Sequence, residues 1–506
     1  MCGIAALWGD DGTKTILDML SRLSHRGPDG RGLHLTPLRH TTGPATLGHV
    51  RLAIIDPAGG RQPMVADDVA GAPALVCNGM IYNDRDLRDR LADVAFKTGS
   101  DSESILRGFL AWGDRIADEL DGMFAFVLVD GTGHVLAARD PLGIKPLYMG
   151  RVDGRLAFAS EIKALAGVAE QIEEFPPGHV FHSRRGFRRY YEVPRPHGMS
   201  RTEEETFRAL RETLEKAVVK RLRTDVPLGA FLSGGLDSSI IAAIAREHVD
   251  ELHTFSVGLE GSSDLHAARK VAAHLGTIHH EYVIDPQDIV DVLPRVLNHL
   301  ESFDRDLVRS AVPTYFVAKL AAREVKVVLT GEGADELFAG YSYYSRYDDP
   351  GALQRELRRS LTSMHNVNLQ RVDRMSMAHG LEARVPFLDT TMIALAMTIP
   401  ATWKQRSERG CDGEKWVLRK AFEDRLPAEI VWRAKLQFDQ GSGFDDYLAA
   451  YAARQVEAGE VRAPHEGRSA EESLYRQLLG RTLPDPERVL RLTAHWSADG
   501  TGKAAA

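Results

Sequence analysis

The sequence predicts a two-domain protein, with a strand-rich α+β domain first and an α/β domain with a parallel sheet second. Its 506 residues exceed the length at which a single hydrophobic core usually stops growing. Up to about residue 190, short apolar runs alternate with Gly- and Asp-containing turns, whereas later the chain alternates short apolar strands with helical segments. Two prolines and a glycine within residues 191–198 predict the boundary between these parts.

The individual elements follow from the same patterns. In the first part, residues 74–77 and 123–129 are typical of buried strands. In the second, a charged helix over 202–223 precedes three strand–helix pairs, which we predict at 227–232 with 238–246, at 253–258 with 264–275, and at 325–329 with 335–338. Such alternation predicts a Rossmann-like parallel sheet with right-handed crossovers.

These patterns divide the chain into three parts. We predict a first domain over residues 2–195 and a second domain over residues 200–455. Residues 456–506 form a C-terminal tail whose polar, Ala- and Gly-rich composition is typical of a partly disordered segment.

Composition and charge restrict the class of function. The chain is 43% hydrophobic and 26% charged, and it has no run of about 18 apolar residues, so we expect neither a membrane span nor a membrane partner. The net charge of −8 disfavours a broad nucleic-acid surface, which leaves small-molecule partners. The three cysteines are widely spaced and predict neither a disulfide framework nor a zinc site, so a reducing cytoplasm is expected. The sequence does not decide the assembly state, and a homodimer is one alternative.

The second residue is a candidate nucleophile. If Met1 is removed, Cys2 carries both a thiol and a free α-amine, which titrate near pH 8.5 and pH 8. The amine can then take the thiol proton, directly or through water, which suits attack on an amide. The alternative is that Cys2 is only a small buried hydrophobe in a first strand, and for an isolated cysteine that alternative is favoured.

Downstream residues supply what a glutamine-cleaving site needs. Arg51 is suited to clamp an α-carboxylate in a bidentate manner, and Asp101 to bind the substrate ammonium. The side-chain amide of Asn78 and the backbone N–H of Gly79 together suit an oxyanion hole. Taken singly, each has a plainer explanation: a surface ion pair for Arg51, a helix cap for Asp101 and a hairpin turn for Asn78 and Gly79.

Several ordered motifs resemble one family. They are Met-Cys-Gly-Ile at 1–4, Ser-His-Arg-Gly-Pro-Asp-Gly at 24–30, Arg-Leu-Ala-Ile-Ile-Asp at 51–56, Asn-Gly-Met-Ile-Tyr-Asn at 78–83 and Asp-Pro-Leu-Gly-Ile-Lys-Pro-Leu-Tyr at 140–148. Together they resemble the glutamine-hydrolysing asparagine synthetases. The resemblance implies a class II amidotransferase domain built as an N-terminal-nucleophile αββα sandwich of two sheets between helices.

One position departs from that family. The family usually has Glu after Asn-Gly, where this chain has Met80, so a contact to glutamine is absent. The nucleophile, the carboxylate clamp and the oxyanion donors remain. We therefore predict a weakened glutaminase, with lower glutamine affinity and unchanged chemistry.

A glycine- and serine-rich loop at 233–239 indicates a nucleotide site. It lies between an apolar strand and a helix, so the backbone N–H groups near Gly234 and Gly235, the hydroxyls of Ser233 and Ser238, and the helix N-terminus can surround a phosphate chain. Asp237 is placed to hold Mg²⁺. The loop lacks the Gly-Lys-Ser/Thr ending of a P-loop, and it is more like the loop of enzymes that split ATP into AMP and pyrophosphate. A simple turn before a helix is the alternative.

A second acidic loop follows the strand at 325–329, at the edge where parallel sheets bind ligands. We assign Asp335 to Mg²⁺ and Glu332 to proton removal from the attacking ammonia. A solvated acidic helix start is the alternative. Residues 432–438 resemble the family's lysine motif, which implies that Lys435 neutralises the α-phosphate and the departing pyrophosphate; Leu436 stands where family members commonly have Glu.

The resemblance implies further residues of the synthetase site. Leu232, Val257 and Gly331 are implied to line the adenosine pocket. Glu382 and Arg384, within the matching segment 371–389, either meet the amine and carboxylate of the acceptor or pair with each other, and the sequence favours neither alternative.

The implied reaction is ATP-dependent transfer of the glutamine amide to aspartate through a β-aspartyl-adenylate, giving asparagine, glutamate, AMP and pyrophosphate. Ammonia must cross between the two sites unprotonated, so the resemblance implies an internal passage. The alternatives are a different carboxylate acceptor, or ring closure as in the β-lactam synthetases, which lack the working cysteine and have Tyr where this chain has Glu332. A third alternative is a tRNA-modifying ATPase, which would have a basic RNA surface and redox cysteines, and the sequence shows neither. A fourth is a regulatory protein with a decayed site, which only Met80 supports.

Overall fold

The computed structural model describes residues 2–9, 11–36, 43–130, 132–198, 201–408, 413–434, 445–462 and 469–492. The chain divides into two compact units. The first comprises Met1–Glu192, Met377–Gly380 and Leu479–Thr493, and the second comprises Val193–Ser376, Leu381–Leu478 and Ala494–Ala506. No helix within the described ranges is long and apolar enough to cross a membrane.

The first unit contains two antiparallel sheets. Its described strands are β1 (Cys2–Leu7), β2 (Gly30–Thr36), β3 (Ala45–Arg51), β4 (Met64–Val65), β5 (Ala74–Ile81), β6 (Gly122–Val129), β7 (Val135–Arg139), β8 (Tyr148–Val152), β9 (Arg155–Ala159), β10 (Gln171–Glu174), β11 (His179–His182) and β12 (Gly186–Arg189). One sheet has the order β10-β8-β9-β1-β3-β2 and the other β12-β11-β7-β6-β5-β4.

The two sheets pack face to face around apolar side chains of both. Ile4 and Leu47 of the first sheet and Val76 and Val127 of the second belong to one buried cluster. The helices of this unit are α1 (Thr13–Arg22), α2 (Asp84–Arg90), α3 (Glu103–Trp112), α4 (Ile116–Glu119) and α5 (Ile162–Leu165). Apolar residues of α2, α3 and α4 pack on the outer face of the second sheet, and α1 packs against β1 and β3 of the first. The predicted αββα sandwich is confirmed.

The second unit is built on a parallel sheet. Its described strands are β13 (Leu228–Phe231), β14 (His253–Gly258), β15 (Ile278–Val283), β16 (Val327–Leu329) and β17 (Glu382–Arg384). Their order is β15-β14-β13-β16-β17, and all neighbouring strands of this sheet run parallel. The predicted strand–helix alternation is therefore confirmed.

The remaining described helices belong to the same unit, apart from the end of the chain. They are α6 (Glu203–Lys220), α7 (Leu236–His248), α8 (Ser263–Leu275), α9 (Pro286–Leu300), α10 (Arg305–Ala321), α11 (Ala334–Phe338), α12 (Pro350–Thr362), α13 (Asn368–Met377), α14 (Thr390–Thr398), α15 (Ala401–Lys404), α16 (Trp416–Ala421), α17 (Ala428–Val431), α18 (Asp445–Glu457), α19 (Ala470–Thr482) and α20 (Pro486–Leu492). The last two lie in the segment expected as a partly disordered tail, so polar composition alone did not reveal them.

Local chemistry explains where several of these helices begin. At α6, the Thr202 side chain accepts from the backbone N of Glu205, whose carboxylate accepts in return from the backbone N of Thr202. This reciprocal pair satisfies two N–H groups that a helix start leaves without partners. At α8, the Ser262 side chain accepts from the backbone N of Leu265 and so satisfies one such N–H group.

Candidate active sites

The first residue of β1 is held from two sides. The backbone N of Cys2 donates to Oδ1 of Asn78 at 3.0 Å, and Nε of Arg26 donates to the Cys2 carbonyl at 3.0 Å. Cys2 itself is buried. Met1 lies outside the described residues, and its removal turns this backbone nitrogen into the α-amine of the predicted nucleophile. Asn78 is then the group that orients the internal base.

Arg26 is fixed by a buried charged cluster that the sequence reasoning missed. Its Nη1 lies 2.7 Å from Oε1 of Glu161, while Nζ of Lys163 and Nε2 of His25 lie 2.5 and 3.1 Å from Oε2 of the same carboxylate. The Arg26 and Glu161 side chains have no exposure, and charges buried this deeply are tolerated because they are paired. Residues 24–30 were noted only for their resemblance, because the partners at 161 and 163 are far away in sequence.

The neighbouring strand brings an imidazole to the thiol. In the antiparallel pairing of β1 and β3, Cys2 lies opposite Arg51 and Ile4 lies opposite His49. Directly opposed residues share a face of a sheet, so the thiol, the imidazole and the guanidinium are all on one face. His49 is fully buried. His49 and Arg51 alternate in a predicted strand, and this spacing could have indicated that both side chains lie on the face of Cys2. Only Arg51 was assigned from the sequence.

The two described cysteines have opposite acidities. Burial on its own raises the pKa of the Cys2 thiol, but in the chain that retains Met1 the charge of His49, the charge of the Met1 amino group and a hydrogen bond with His49 outweigh it and lower the pKa from 9.0 to about 6. Burial raises the pKa of Cys77 well above its ordinary value, and the charges of Asp101 and Cys2 add to this. Of these two thiols, Cys2 is therefore the one that is ionised at neutral pH.

The tautomer of His49 follows from its second contact. Its Nε2 lies 3.3 Å from the carbonyl oxygen of Cys77, which can only accept. That nitrogen therefore donates to the carbonyl, whether the imidazole is neutral or charged.

A short loop presents the guanidinium of Arg51. Its Nη1 donates to the Pro57 carbonyl and its Nη2 to the Asp56 carbonyl, both at 2.7 Å. The Asp56 carboxylate in turn accepts from the backbone N of Gly59 and of Gly99, each at 2.8 Å. The loop therefore holds the guanidinium in one orientation while leaving further N–H groups available for a carboxylate.

One of the predicted oxyanion donors, Asn78, contacts the backbone of Cys2. Asn78 is fully buried, and its Nδ2 has no hydrogen-bond partner within the described part of the chain. A buried amide N–H without an acceptor is costly unless a ligand supplies one. At Gly79, a Cβ would lie 2.4 Å from the Met123 carbonyl oxygen on β6, so only glycine fits this close approach.

Asp101 and Met80, the residue that differs from the family pattern, are both buried near β5. Oδ2 of Asp101 accepts from the backbone N of Ile81 at 2.7 Å, which fixes the carboxylate next to β5. Met80 is 2% exposed, so an apolar thioether is buried at the position where the resemblance led us to expect a carboxylate.

The second unit contains a cavity of about 420 Å³ at the carboxyl ends of its parallel strands. The predicted residues Leu232, Ser233, Gly235, Asp237, Ser238, Val257, Gly331, Glu332 and Asp335 all line it. This volume is within the range of small-molecule sites. The structure thus brings together nearly all of the residues assigned to ATP.

The first phosphate loop is closed by its own serines. Oγ of Ser233 lies 3.1 Å from Oγ of Ser238 and accepts from the backbone N of Gly235 at 3.3 Å. Gly234 has φ +72°, and a Cβ there would lie 2.4 Å from the backbone N of Ala268. Glycine is therefore required by both conformation and space, although Gly234 does not itself line the cavity.

A lysine missed by the sequence reasoning joins the two acidic loops. Nζ of Lys415 lies 2.5 Å from Oδ2 of Asp237 and 2.5 Å from Oδ1 of Asp335, and the side chain is almost fully buried. Gly340 makes room for this contact, because a Cβ there would lie within 2.2 Å of Lys415 Cε. Both carboxylates predicted to bind Mg²⁺ therefore converge on one cation.

The other two carboxylates of the acidic loop differ in their surroundings. Glu332 pairs with Arg371. Glu336 is buried, and its Oε1 accepts from the Tyr341 hydroxyl at 2.8 Å and from Nδ2 of Asn368 at 2.9 Å. Burial, followed by the charges of Asp335 and Glu332, raises the pKa of Glu336 to about 7.

Comparisons with known proteins cover both units. The family model described as asparagine synthase matches residues 209–352 and 345–501, and the glutamine amidotransferase domain model matches residues 1–183. "Asparagine synthetase [glutamine-hydrolyzing] 2" of Arabidopsis thaliana is 42% identical over 90% of this chain and 82% of that protein. The chain belongs to the asparagine synthase family.

Other relatives in the asparagine synthase family match to a similar extent. "Asparagine synthetase [glutamine-hydrolyzing]" of Triphysaria versicolor is 40% identical over 96% of this chain and 86% of that protein, and the Zea mays protein of the same description is 42% identical over 90% and 81%. A solved structure titled "Structure of the allosteric regulatory enzyme of purine biosynthesis" is 19% identical, covers 51% of this chain and 66% of its own, and has a TM-score of 0.34, too low to support an argument.

Two residues assigned from the family resemblance, Glu382 and Arg384, do not line the cavity. Nε of Arg384 lies 2.6 Å from Oε1 of Glu382, both side chains are fully buried in β17, and neither lines the cavity. The structure thus shows the pairing alternative and gives no support to acceptor binding, because the guanidinium is also held by the carbonyls of Arg221 and Arg223 at 2.6 and 2.7 Å. Lys435 lies outside the described residues.

Proposed function

We propose that this chain forms asparagine and glutamate from aspartate and glutamine, with ATP converted to AMP and pyrophosphate. The match to the asparagine synthase family over both units supports this assignment. The observation that carries it is the presence, in one chain, of a buried terminal thiol of pKa about 6 and a nucleotide-sized cavity with a Ser-Gly phosphate loop.

In the proposed glutaminase reaction, the Cys2 thiolate attacks the side-chain amide of bound glutamine. Arg51 binds the α-carboxylate and Asp101 the ammonium, which places the amide at the thiol. The oxyanion of the tetrahedral intermediate takes hydrogen bonds from Nδ2 of Asn78 and the backbone N–H of Gly79. The α-amine of Cys2 passes a proton to the leaving ammonia, and water then hydrolyses the thioester to glutamate.

In the proposed synthetase reaction, ATP lies in the cavity with its phosphates at the loop around Ser233 and Gly235. A carboxylate oxygen of aspartate attacks the α-phosphorus, and pyrophosphate leaves. Lys415 stabilises the negative charge that develops on the phosphates. Ammonia then attacks the activated carbonyl, Glu332 accepts its proton, and AMP leaves with one of the oxygens of aspartate.

Asp237 and Asp335 are suited to a divalent cation such as Mg²⁺. Both carboxylates already converge on the ammonium of Lys415 at 2.5 Å, and Mg²⁺ prefers such hard oxygen ligands. The bound ion would neutralise phosphate charge. Within the chain itself, Lys415 keeps the two carboxylates together despite their repulsion.

The proposed compartment is the cytoplasm. Cys2 and Cys77 are buried free thiols, and a nucleophilic thiol has to stay reduced to work.

The direct test supplies the purified protein with Mg-ATP, amide-¹⁵N-labelled glutamine and a panel of carboxylic acids. We expect ¹⁵N-asparagine with equal amounts of AMP and pyrophosphate, measured by mass spectrometry. Formation of ADP would refute adenylation, and a product from an acid other than aspartate would refute the acceptor. In the control variant Cys2→Ala, synthesis from glutamine should disappear while synthesis from ammonium continues.

A further inference from the structure

Two histidines lie side by side on the parallel sheet of the second unit. His253 is the first residue of β14, and His280 lies in β15 directly opposite Phe255. Since opposed residues share a face and Phe255 is two residues from His253, both imidazoles are on the same face. The two imidazoles lie edge to edge in nearly one plane, with centroids 5.2 Å apart and planes 13° apart, and Phe255 stacks on His280 with ring centroids 5.0 Å apart.

A carboxylate completes a group of three potential ligands. Nδ1 of His253 lies 2.9 Å from Nε2 of His280. Glu324, in the connection between α10 and β16, brings a carboxylate oxygen, and the three ligand atoms all lie within 4.8 Å of one another. The histidines are partly buried on rigid strands, whereas Glu324 is exposed and free to rotate towards them.

The group lies beside the cavity but outside its lining. Phe255, which stacks on His280, lines the cavity, and His253 begins the same strand two residues earlier. At about 3.3 Å per residue, His253 and Phe255 are about 7 Å apart along the strand. None of the three residues lines the cavity, so the proposed reaction gives them no role.

We propose that His253, His280 and Glu324 form a binding site for a divalent transition-metal ion of the Zn²⁺, Ni²⁺ and Cu²⁺ class. Imidazole nitrogens and a carboxylate are ligands that these ions accept. The ion replaces the proton that the two facing nitrogens share in the metal-free protein. A coordination position not filled by these three groups is left for water.

The spacing of the nitrogens indicates how the site adjusts. With metal–nitrogen bonds of about 2.05 Å, nitrogens 2.9 Å apart subtend an angle of about 90° at the metal, as in the tetragonal geometry of Ni²⁺ and Cu²⁺. Because the two rings lie edge to edge along the line that joins these nitrogens, each ring must also turn by roughly 45° to point its lone pair at the ion. Tetrahedral Zn²⁺ needs a separation of about 3.3 Å, so the rings must move apart by about 0.4 Å. In either case the ion ties together β14, β15 and the segment before β16.

The test is calorimetric titration of the untagged, metal-stripped protein with Ni²⁺ and with Zn²⁺, in excess Mg²⁺ so that hard-oxygen sites are occupied. We expect a one-to-one binding event in the wild type. It should be absent in His280→Asn and weakened about tenfold or more in Glu324→Gln, whose exposed position makes misfolding an unlikely cause. The same ions should raise the melting temperature of the wild type and leave that of His280→Asn unchanged.

His134→Asn is the matched control. His134 and His182 of the first unit are also a pair of neighbouring imidazoles, with ring centroids 5.5 Å apart. This variant should keep the full binding event. Identical isotherms for wild type, His280→Asn and Glu324→Gln would overturn the proposal, as would equal loss in His134→Asn or no binding by the wild type at millimolar ion. Synthesis of asparagine from ammonium should be the same in all of these proteins.

Discussion

Replacing His49 tests the origin of the thiol acidity at Cys2. His49→Gln keeps a side-chain N–H that can donate to the Cys77 carbonyl but removes the imidazolium charge. Burial raises the pKa of Cys2 and remains in the variant, while the largest opposing contribution, the charge of His49, is lost. The pKa should therefore return from about 6 to 9.0 or above.

The size of the effect follows from that shift. At pH 7, a thiol of pKa about 6 is about 90% ionised, and one of pKa 9.0 about 1% ionised, a difference of about 4 kcal/mol between the two protonation equilibria. We expect a fall of about two orders of magnitude in the rate of alkylation of Cys2 by iodoacetamide at pH 7, and a comparable fall in glutamine hydrolysis.

The assay is the pH dependence of alkylation between pH 5 and pH 10, read by mass spectrometry of the N-terminal peptide. Cys2→Ala supplies the background from other thiols. Synthesis from ammonium should be unaffected by His49→Gln, which separates a thiol effect from general damage. A midpoint that stays near pH 6 in the variant would refute the reasoning.

Three other substitutions have defined outcomes. Lys415→Met removes the cation between the carboxylates of Asp237 and Asp335, which then repel each other. Synthesis from ammonium should fall at least about a hundredfold while glutaminase activity survives. A change of less than about threefold would contradict the role assigned to Lys415. Glu336→Gln should stabilise the protein by up to about 3 kcal/mol at pH 8 and hardly at all below pH 4.5. The reason is that the folded-state pKa of about 7 lies above the ordinary 4.5, so the stability of the wild type falls as the pH rises between these values. Equal urea midpoints of variant and wild type at pH 8 would disprove this prediction. Met80→Glu should lower the KM for glutamine about tenfold with little change in kcat, in steady-state kinetics with ammonium as the control substrate; an unchanged KM would show that this position does not limit glutamine binding.

Local sequence patterns predicted much of the second unit. The strand at His253–Gly258 has the predicted bounds, and α8 begins within one residue of its predicted start because Ser262 caps it. The position of the glycine- and serine-rich loop between a strand and a helix was also predicted, and Gly234 is required there by its positive φ and by contact with α8. Interactions between residues that are close in sequence determine these features, so the features can be predicted from short segments.

Residues whose role depends on distant partners were not predicted. Lys415 is a lone lysine in its segment, and only folding brings it to Asp237, 178 positions away. Arg26 and Glu161 are likewise 135 positions apart. Glu382 and Arg384 show the opposite case, because their charges suggested a ligand and the fold buries them as a pair. Charge pairing in the interior is a property of the tertiary structure, which no local pattern specifies.

The central claim, that aspartate is activated by adenylation in the second unit, is tested most directly by isotope transfer. With aspartate carrying ¹⁸O in its β-carboxylate, Mg-ATP and glutamine, the attack on the α-phosphorus predicts one ¹⁸O atom in each AMP and none in pyrophosphate, read by mass spectrometry. AMP without ¹⁸O, or ¹⁸O in inorganic phosphate, would contradict the account.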